Sequence, residues 1–273
     1  MATCAYGPTA SGVVTPDSTL PDGFPTGELT LHGRILPASN ATFVGEIAGV
    51  RVVYKPIAGE RPLWDFPDGT LAAREVAAYA VSEALGWDIV PPTALGDGPH
   101  GPGMVQLWRD EVEDQAPVDI VGEGEVPDGF RHVFDGLDAH DQPVSLVHED
   151  SPALRRMALF DVVVNNADRK GGHVLPMADG HRHGVDHGLT FHVENKLRTV
   201  LWGWVGEPIT DDEAAGLRGL AAAVDGALGR TLAGLLAEHE LATTTRRISR
   251  LLDRGAFPAP ATSSYPVIPW PPF

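Results

Sequence analysis

NNADRKGGH (residues 165–173) and GVDHGLTF (residues 184–191) decide how this chain is read, and each carries one aspartate at the end of an apolar segment. Asp168 follows an apolar helical run and precedes a Gly-Gly pair, which predicts a loop held rigidly by the helix before it. Asp186 sits before His187-Gly188, at a predicted strand end where the backbone turns sharply. Phosphoryl transfer needs such a pair: one carboxylate to orient and deprotonate a hydroxyl, another to hold the cation that bridges the phosphates. Asp168 is the expected base and Asp186 the expected principal metal ligand. Taken alone, each dipeptide is also an ordinary turn sequence.

Two upstream segments complete a set. GVRVVYKP (residues 49–56) reads as a β-branched strand ending in Lys55, and REVAAY (residues 74–79) opens an amphipathic helix carrying Glu75. A strand lysine that holds nucleotide phosphates and is itself held by a helix glutamate is the arrangement of kinase-type sites. A lysine at the end of a half-buried strand is otherwise an edge residue that discourages strand pairing.

VYKP, REVAAY, NNADR and VDHGLTF, in that order, resemble the corresponding blocks of the phosphatidylinositol 3- and 4-kinase superfamily. They are most similar to the type II phosphatidylinositol 4-kinases, their bacterial relatives and an actinobacterial group of unassigned substrate. The resemblance spans roughly residues 30 to 255. It implies a two-lobed protein-kinase-like α+β fold, with a small antiparallel-sheet N-lobe and a mainly helical C-lobe. It also implies ATP and Mg²⁺ or Mn²⁺ as cofactors. Lys55 and Glu75 would attend the phosphates, and Arg169 would touch the transferred group or balance local charge. With no glycine-rich phosphate loop in the chain, Ser39 and Asn40 of PASN (residues 37–40) are the candidates to cover the phosphates. MVQLW (residues 104–108) would lead into the hinge, which places Gln106 and Trp108 among the nucleotide-binding candidates. One position departs from the pattern. Where kinase catalytic loops carry a metal-binding Asn five residues after the catalytic Asp, this chain has His173, a ligand better suited to softer cations than Mg²⁺.

Bulk properties narrow the partners. The 273 residues carry a formal net charge of −17 with 43% apolar residues. That charge disfavours nucleic acid and acidic lipid surfaces, and no polybasic run compensates for it. A soluble hydroxyl acceptor, either a small molecule such as an inositol derivative or a protein, is expected, with no stable membrane association. The single cysteine, Cys4, and the absence of a signal-like or spanning apolar run lead to a cytoplasmic expectation. His181, His183, His187 and His192 crowd one region, but their spacing matches no structural zinc pattern.

The predicted organisation is a flexible segment over 1–27, an N-lobe over 28–108, a C-lobe over 109–256 containing an acidic, solvated insertion at 109–150, and a proline- and aromatic-rich tail over 257–273 that packs on the body. Helices are predicted over 71–85 with Thr70 as N-cap, over 152–164 after Ser151-Pro152, over about 15 residues from a Thr210/Glu213 capping box, and near 229–241 and 243–254. The favoured function is γ-phosphoryl transfer from ATP to a hydroxyl. The rivals are AMP transfer on the same fold and a non-catalytic pseudokinase scaffold.

Overall fold

Alternating apolar residues build an antiparallel sheet at the N-terminal end of a chain described by a computed structural model over residues 11–14, 20–36, 38–67, 69–261 and 266–273. Cys4, much of the segment expected at 1–27, Pro37 of the PASN turn and residues 262–265 of the tail lie outside the described residues. The strands are β1 (Ser11–Val14), β2 (Gly27–Arg34), β3 (Phe43–Ile47), β4 (Val50–Pro56), β5 (Thr93–Gly98) and β6 (Gly101–Leu107), ordered β1-β2-β3-β4-β6-β5. One face gathers Leu29, Leu31, Ile47, Val52, Tyr54, Ala94 and Val105 into a small core. Because side chains alternate along a strand, burying Val52 and Tyr54 sends Lys55 to the opposite face.

The run from Phe43 to Pro56 contains a hairpin turn of its own. It lies at Ala48-Gly49, both at positive φ (50° and 83°), the pairing a tight two-residue hairpin requires. The PASN segment lies in the connection between the antiparallel strands β2 and β3, pinned where Ala41 N–H donates to the Gly59 carbonyl.

Helix α1 (Leu71–Leu85) has the predicted limits and ends on Gly86 in the left-handed region. Thr70 does not cap it: its hydroxyl donates to the Pro67 carbonyl, and the Glu60 carboxylate accepts from the Leu71 and Ala72 N–H groups. A carboxylate there satisfies two orphan donors and complements the helix dipole. Although α1 lies between β4 and β5 of the sheet in sequence, Ala77, Ala78, Val81 and Leu85 join the core of the helical half.

The acidic stretch after Leu107 is more ordered than predicted. It forms a second antiparallel sheet, order β7-β9-β8, from β7 (Val118–Gly122), β8 (Phe130–Leu137) and β9 (Pro143–Glu149). Four consecutive buried residues, Ser145 to His148, cover both faces of β9, so the insertion contributes to the main core. Charge alone conceals this, because the acidic residues occupy turns and strand edges.

Ser151 accepts from Leu154 N–H and Pro152 opens α2 (Pro152–Val164), as predicted. Leu154, Met157, Phe160, Val163 and Val164 are fully buried. Truncating one such residue costs about 2–5 kcal/mol, so the helix end that presents the next loop is firmly anchored. After the short strands β10 (Val174–Pro176) and β11 (Arg182–Gly184) come α3 (Asp211–Val224), α4 (Ala227–Ala233) and α5 (Glu238–Arg254). The Thr210/Glu213 capping box is present. The last two helices are shifted from the predicted 229–241 and 243–254, because Glu240 accepts from Ala237 N–H and starts α5 there.

Small antiparallel sheet followed by mainly helical region, with the lysine strand and glutamate helix in order, is the two-lobed protein-kinase-like α+β fold. No helix among the described residues is long and apolar enough to cross a membrane. The tail returns to the body: the Val267 carbonyl accepts from Thr199 N–H and Trp202 Nε1, and the Pro272 carbonyl accepts from Gly171 N–H. Phe273 lies so close over Gly171 that a Cβ there would collide with its ring. Trp270, by contrast, is exposed.

Candidate active site

Lys55 Nζ donates to Glu75 Oε1 at 2.7 Å and to Asp186 Oδ1 at 2.8 Å. Strand β4, helix α1 and the loop after β11 therefore converge on one ammonium. Burial works against its charge, but Asp186 and Glu75 outweigh that and hold it above the ordinary lysine range. Lys55 in turn holds the Asp186 carboxyl well below the usual carboxylate range, while burial pushes Glu75 up. Glu75 also accepts from His187 N–H at 2.8 Å, which fixes the loop carrying Asp186. Asp186 itself has φ 62°, a strained conformation for a non-glycine residue of the kind that collects at functional sites.

His173 faces the same carboxylate. Its Nδ1 is 2.9 Å from the Asp168 carbonyl, which can only accept, so Nδ1 carries the proton in the neutral ring. Burial depresses the pKa of His173 and keeps it neutral. Nε2 then presents a lone pair 3.5 Å from Asp186 Oδ2. Two electron-pair donors facing each other at that separation suit a cation between them, and a ring oriented by its far nitrogen is the usual arrangement of a ligating histidine. A mixed N/O pair accommodates Mn²⁺ at least as well as Mg²⁺.

Asp168 lies one loop away, on the segment that α2 anchors. Asn166 positions it: its Oδ1 accepts from Asp168 N–H, and its Nδ2 donates to Asp161. The Asp168 carboxylate accepts no hydrogen bond from a described residue, its nearest cation being Lys170 Nζ at 4.0 Å. Burial, with Asp186 adding, raises its pKa to about 6. A carboxylate with no donor and a raised pKa is poised to take a proton.

Of the two readings of Arg169, contact with the transferred group is corrected and charge balance stands. Arg169 is fully buried, its Nε and Nη2 bind Asp161, its Nη1 reaches the His173 and Val185 carbonyls, and Nη2 approaches His187 Nε2 at 2.7 Å. With these donors engaged and no exposure, it cannot touch a transferred phosphoryl group. It joins the loop of Asp168 to the loop of Asp186.

The remaining nucleotide candidates do not join the cluster. Ser39 is exposed, and Asn40 Oδ1 accepts from Arg61 N–H. Gln106 is buried with its amide donating to Thr93, and the Trp108 indole donates to Asp110 beneath the Arg51 guanidinium. The N–H groups of Leu107 and Trp108 bind the Pro92 and Arg51 carbonyls, so the strand end that leads into the expected hinge is engaged within the N-terminal half. The histidines also divide. His181 and His183 form, with Asp88, a group whose ligand atoms lie within 4.8 Å; His181 Nε2 rests on the Asp88 carbonyl at 2.7 Å, while His192 packs against Phe66.

Asp161, Asn166 and His187 were missed because nothing in their spacing marks them. Lysine usage offered a signal for others. The chain has three lysines, and they are Lys55 at Asp186, Lys170 beside Asp168, and Lys196, whose backbone N–H binds the Asn165 side chain at the foot of the same loop.

No family model matches the chain. The crystal structure of a Helicobacter pylori proinflammatory kinase, CtkA, superposes with a TM-score of 0.45 at 11% identity, covering 84% of this chain and 92% of that one. At that level it adds nothing to what strand order and site geometry show. The sequence is 50% identical over 260 residues to protein Rv2133c of Mycobacterium tuberculosis (strain ATCC 25618 / H37Rv), covering 90% of this chain and 93% of the relative. The chain thus belongs to the family of Rv2133c.

Proposed function

We propose that the chain is an ATP- and divalent-cation-dependent phosphotransferase of the phosphatidylinositol 3-/4-kinase-like type, acting on a hydroxyl acceptor. One observation carries this: Lys55 is bound at once by Glu75 and Asp186, while His173 Nε2 faces the same Asp186 carboxylate. Asp186 and His173 would hold the cation, whose chemistry is neutralisation of phosphate charge. Lys55 would turn from Asp186 toward the phosphates while Glu75 keeps its place. Asp168 accepts the acceptor's proton as the new O–P bond forms and the bond from the γ-phosphorus to the bridging oxygen breaks, leaving ADP. Catalysis of this kind is positioning plus charge stabilisation. The Rv2133c name states no activity, so the substrate comes from neither relative.

The test is incubation with ATP and Mg²⁺ or Mn²⁺, with nucleotide products resolved by chromatography and the protein read by intact mass. ADP from the wild type, and none from Asp168→Ala, supports the proposal; pyrophosphate with an AMP adduct would establish nucleotidyl transfer instead. Asp186→Ala is expected to lose the metal-dependent part of ATP affinity. Equal affinity in that variant with and without metal would remove Asp186 as the ligand.

A further inference from the structure

A cavity of about 250 Å³ opens beside the catalytic loop, lined among others by Trp64, Asp65, Ala167, Lys196, Arg198 and Val267. It shares a wall with that loop. Arg198 N–H donates to the Asn166 carbonyl, Arg198 Nε to the Ala167 carbonyl at 2.7 Å, and the Arg198 carbonyl accepts from Arg169 N–H. The same guanidinium is among the cations acting on Asp168. The cavity therefore lies against the loop that carries the carboxylate proposed to receive the acceptor's proton.

Its lining has a recognisable chemistry. Trp64 is 80% exposed, a large cost for an indole. Yet the ring is held: Lys196 Nζ lies 4.7 Å from its centre and 2.6 Å from Asp65 Oδ2. That ammonium fixes an aromatic platform and a carboxylate side by side. An apolar face beside fixed donors and acceptors matches a molecule with C–H groups on one face and hydroxyls at its edge. A carboxylate accepts from adjacent hydroxyls, and an ammonium donates to their oxygens. Beyond Nε, Arg198 makes no hydrogen bond with a described residue, so its terminal nitrogens suit an anionic substituent. Pockets for drug-sized ligands run from roughly 300 to 1,000 Å³, so this one fits a single ring or a short chain.

We propose that this cavity is the acceptor subsite and takes a small polyhydroxylated molecule, of sugar or polyol size, stacked on Trp64, hydrogen-bonded by Asp65 and Lys196, and read by Arg198 where it carries an anion. The proposal rests on the phosphotransferase assignment, because Asp168 is what makes the neighbouring cavity an acceptor site.

Binding without nucleotide separates the two. The full chain is titrated with hexoses, pentitols and cyclitols and with their monophosphates, read by tryptophan fluorescence and saturation-transfer NMR. At least one compound should saturate in the millimolar range or below, and Trp64→Ala should weaken it ten-fold or more while leaving ATP–Mn²⁺ affinity within two-fold. Exposure of Trp64 makes this variant safe for folding, which its circular dichroism checks. Arg198→Ala should weaken the monophosphate and not the parent polyol if an anion is read; equal weakening of both removes Arg198 from recognition. No saturation by any compound, or saturation unchanged by Trp64→Ala, overturns the subsite. Loss of ATP turnover with polyol binding intact would count against the phosphotransferase alone.

Discussion

Lys55 and Arg169 each bind a carboxylate at under 3 Å and each join segments distant in sequence, yet they are built for different ends. Arg169 and Asp161 are both 0% exposed, and the guanidinium is engaged by a carboxylate, two carbonyls and an imidazole. Lys55 is 20% exposed and one ammonium serves two carboxylates, of which Asp186 is 51% exposed. A saturated, dry network fixes a shape. An incompletely satisfied one at the edge of water can change partners, as the proposed phosphate binding requires. Asp168 belongs with the second kind, since no donor among the described residues holds its carboxylate.

The contrast breaks most readily at Asp168. Asp168→Asn is expected to lower kcat by about 10²–10⁴ while making the fold more stable. The sign follows from its raised pKa: the folded chain binds this proton more tightly than the unfolded chain, so stability from this group is lost as pH rises from 3.8 through about 6. At neutral pH the ionised carboxylate then costs about 1–3 kcal/mol after allowance for its partial exposure. Denaturant unfolding at pH 7.5 checks it, and a variant less stable than the parent would show that Asp168 holds the loop together.

Arg169→Met tests the opposite pole. Removing the cation leaves Asp161 buried and uncompensated, which typically costs about 3–5 kcal/mol. A loss below about 1 kcal/mol in chemical denaturation, together with a selective fall in kcat, would return Arg169 to the reacting groups. The gentlest test is pH. kcat/KM should rise with pH through a midpoint near 6 as Asp168 deprotonates in the free enzyme. Burial depresses His173 and His187, which places their own titration on the acid side of the ordinary histidine range. A midpoint near 4 would place Asp168 in open water.

Local chemistry made part of this legible beforehand. Alternation marked β4 and placed Lys55 at its end; Ser151-Pro152, Gly86 and the Thr210/Glu213 box set helix ends, because caps act within one turn. Lys55, Glu75, Asp186 and His173 could be named from block order, and the structure brings them together. The Glu60 cap of α1 and the folded acidic insertion were not legible, since each depends on a segment remote from the residues it affects.

By itself, then, the sequence determined several element limits, the order of the charged residues and the departure at His173, all consequences of side chains acting on their immediate neighbours. Only the tertiary structure decided which charges are dry. Burial gave Arg169 to the scaffold, set the His173 ring with its lone pair toward Asp186, removed Gln106 from the cleft and placed Trp64 beside Lys196. The physical reason is that desolvation and hydrogen-bond saturation are properties of the packed environment, and residues adjacent in the chain, such as Asp168 and Arg169, can meet opposite environments.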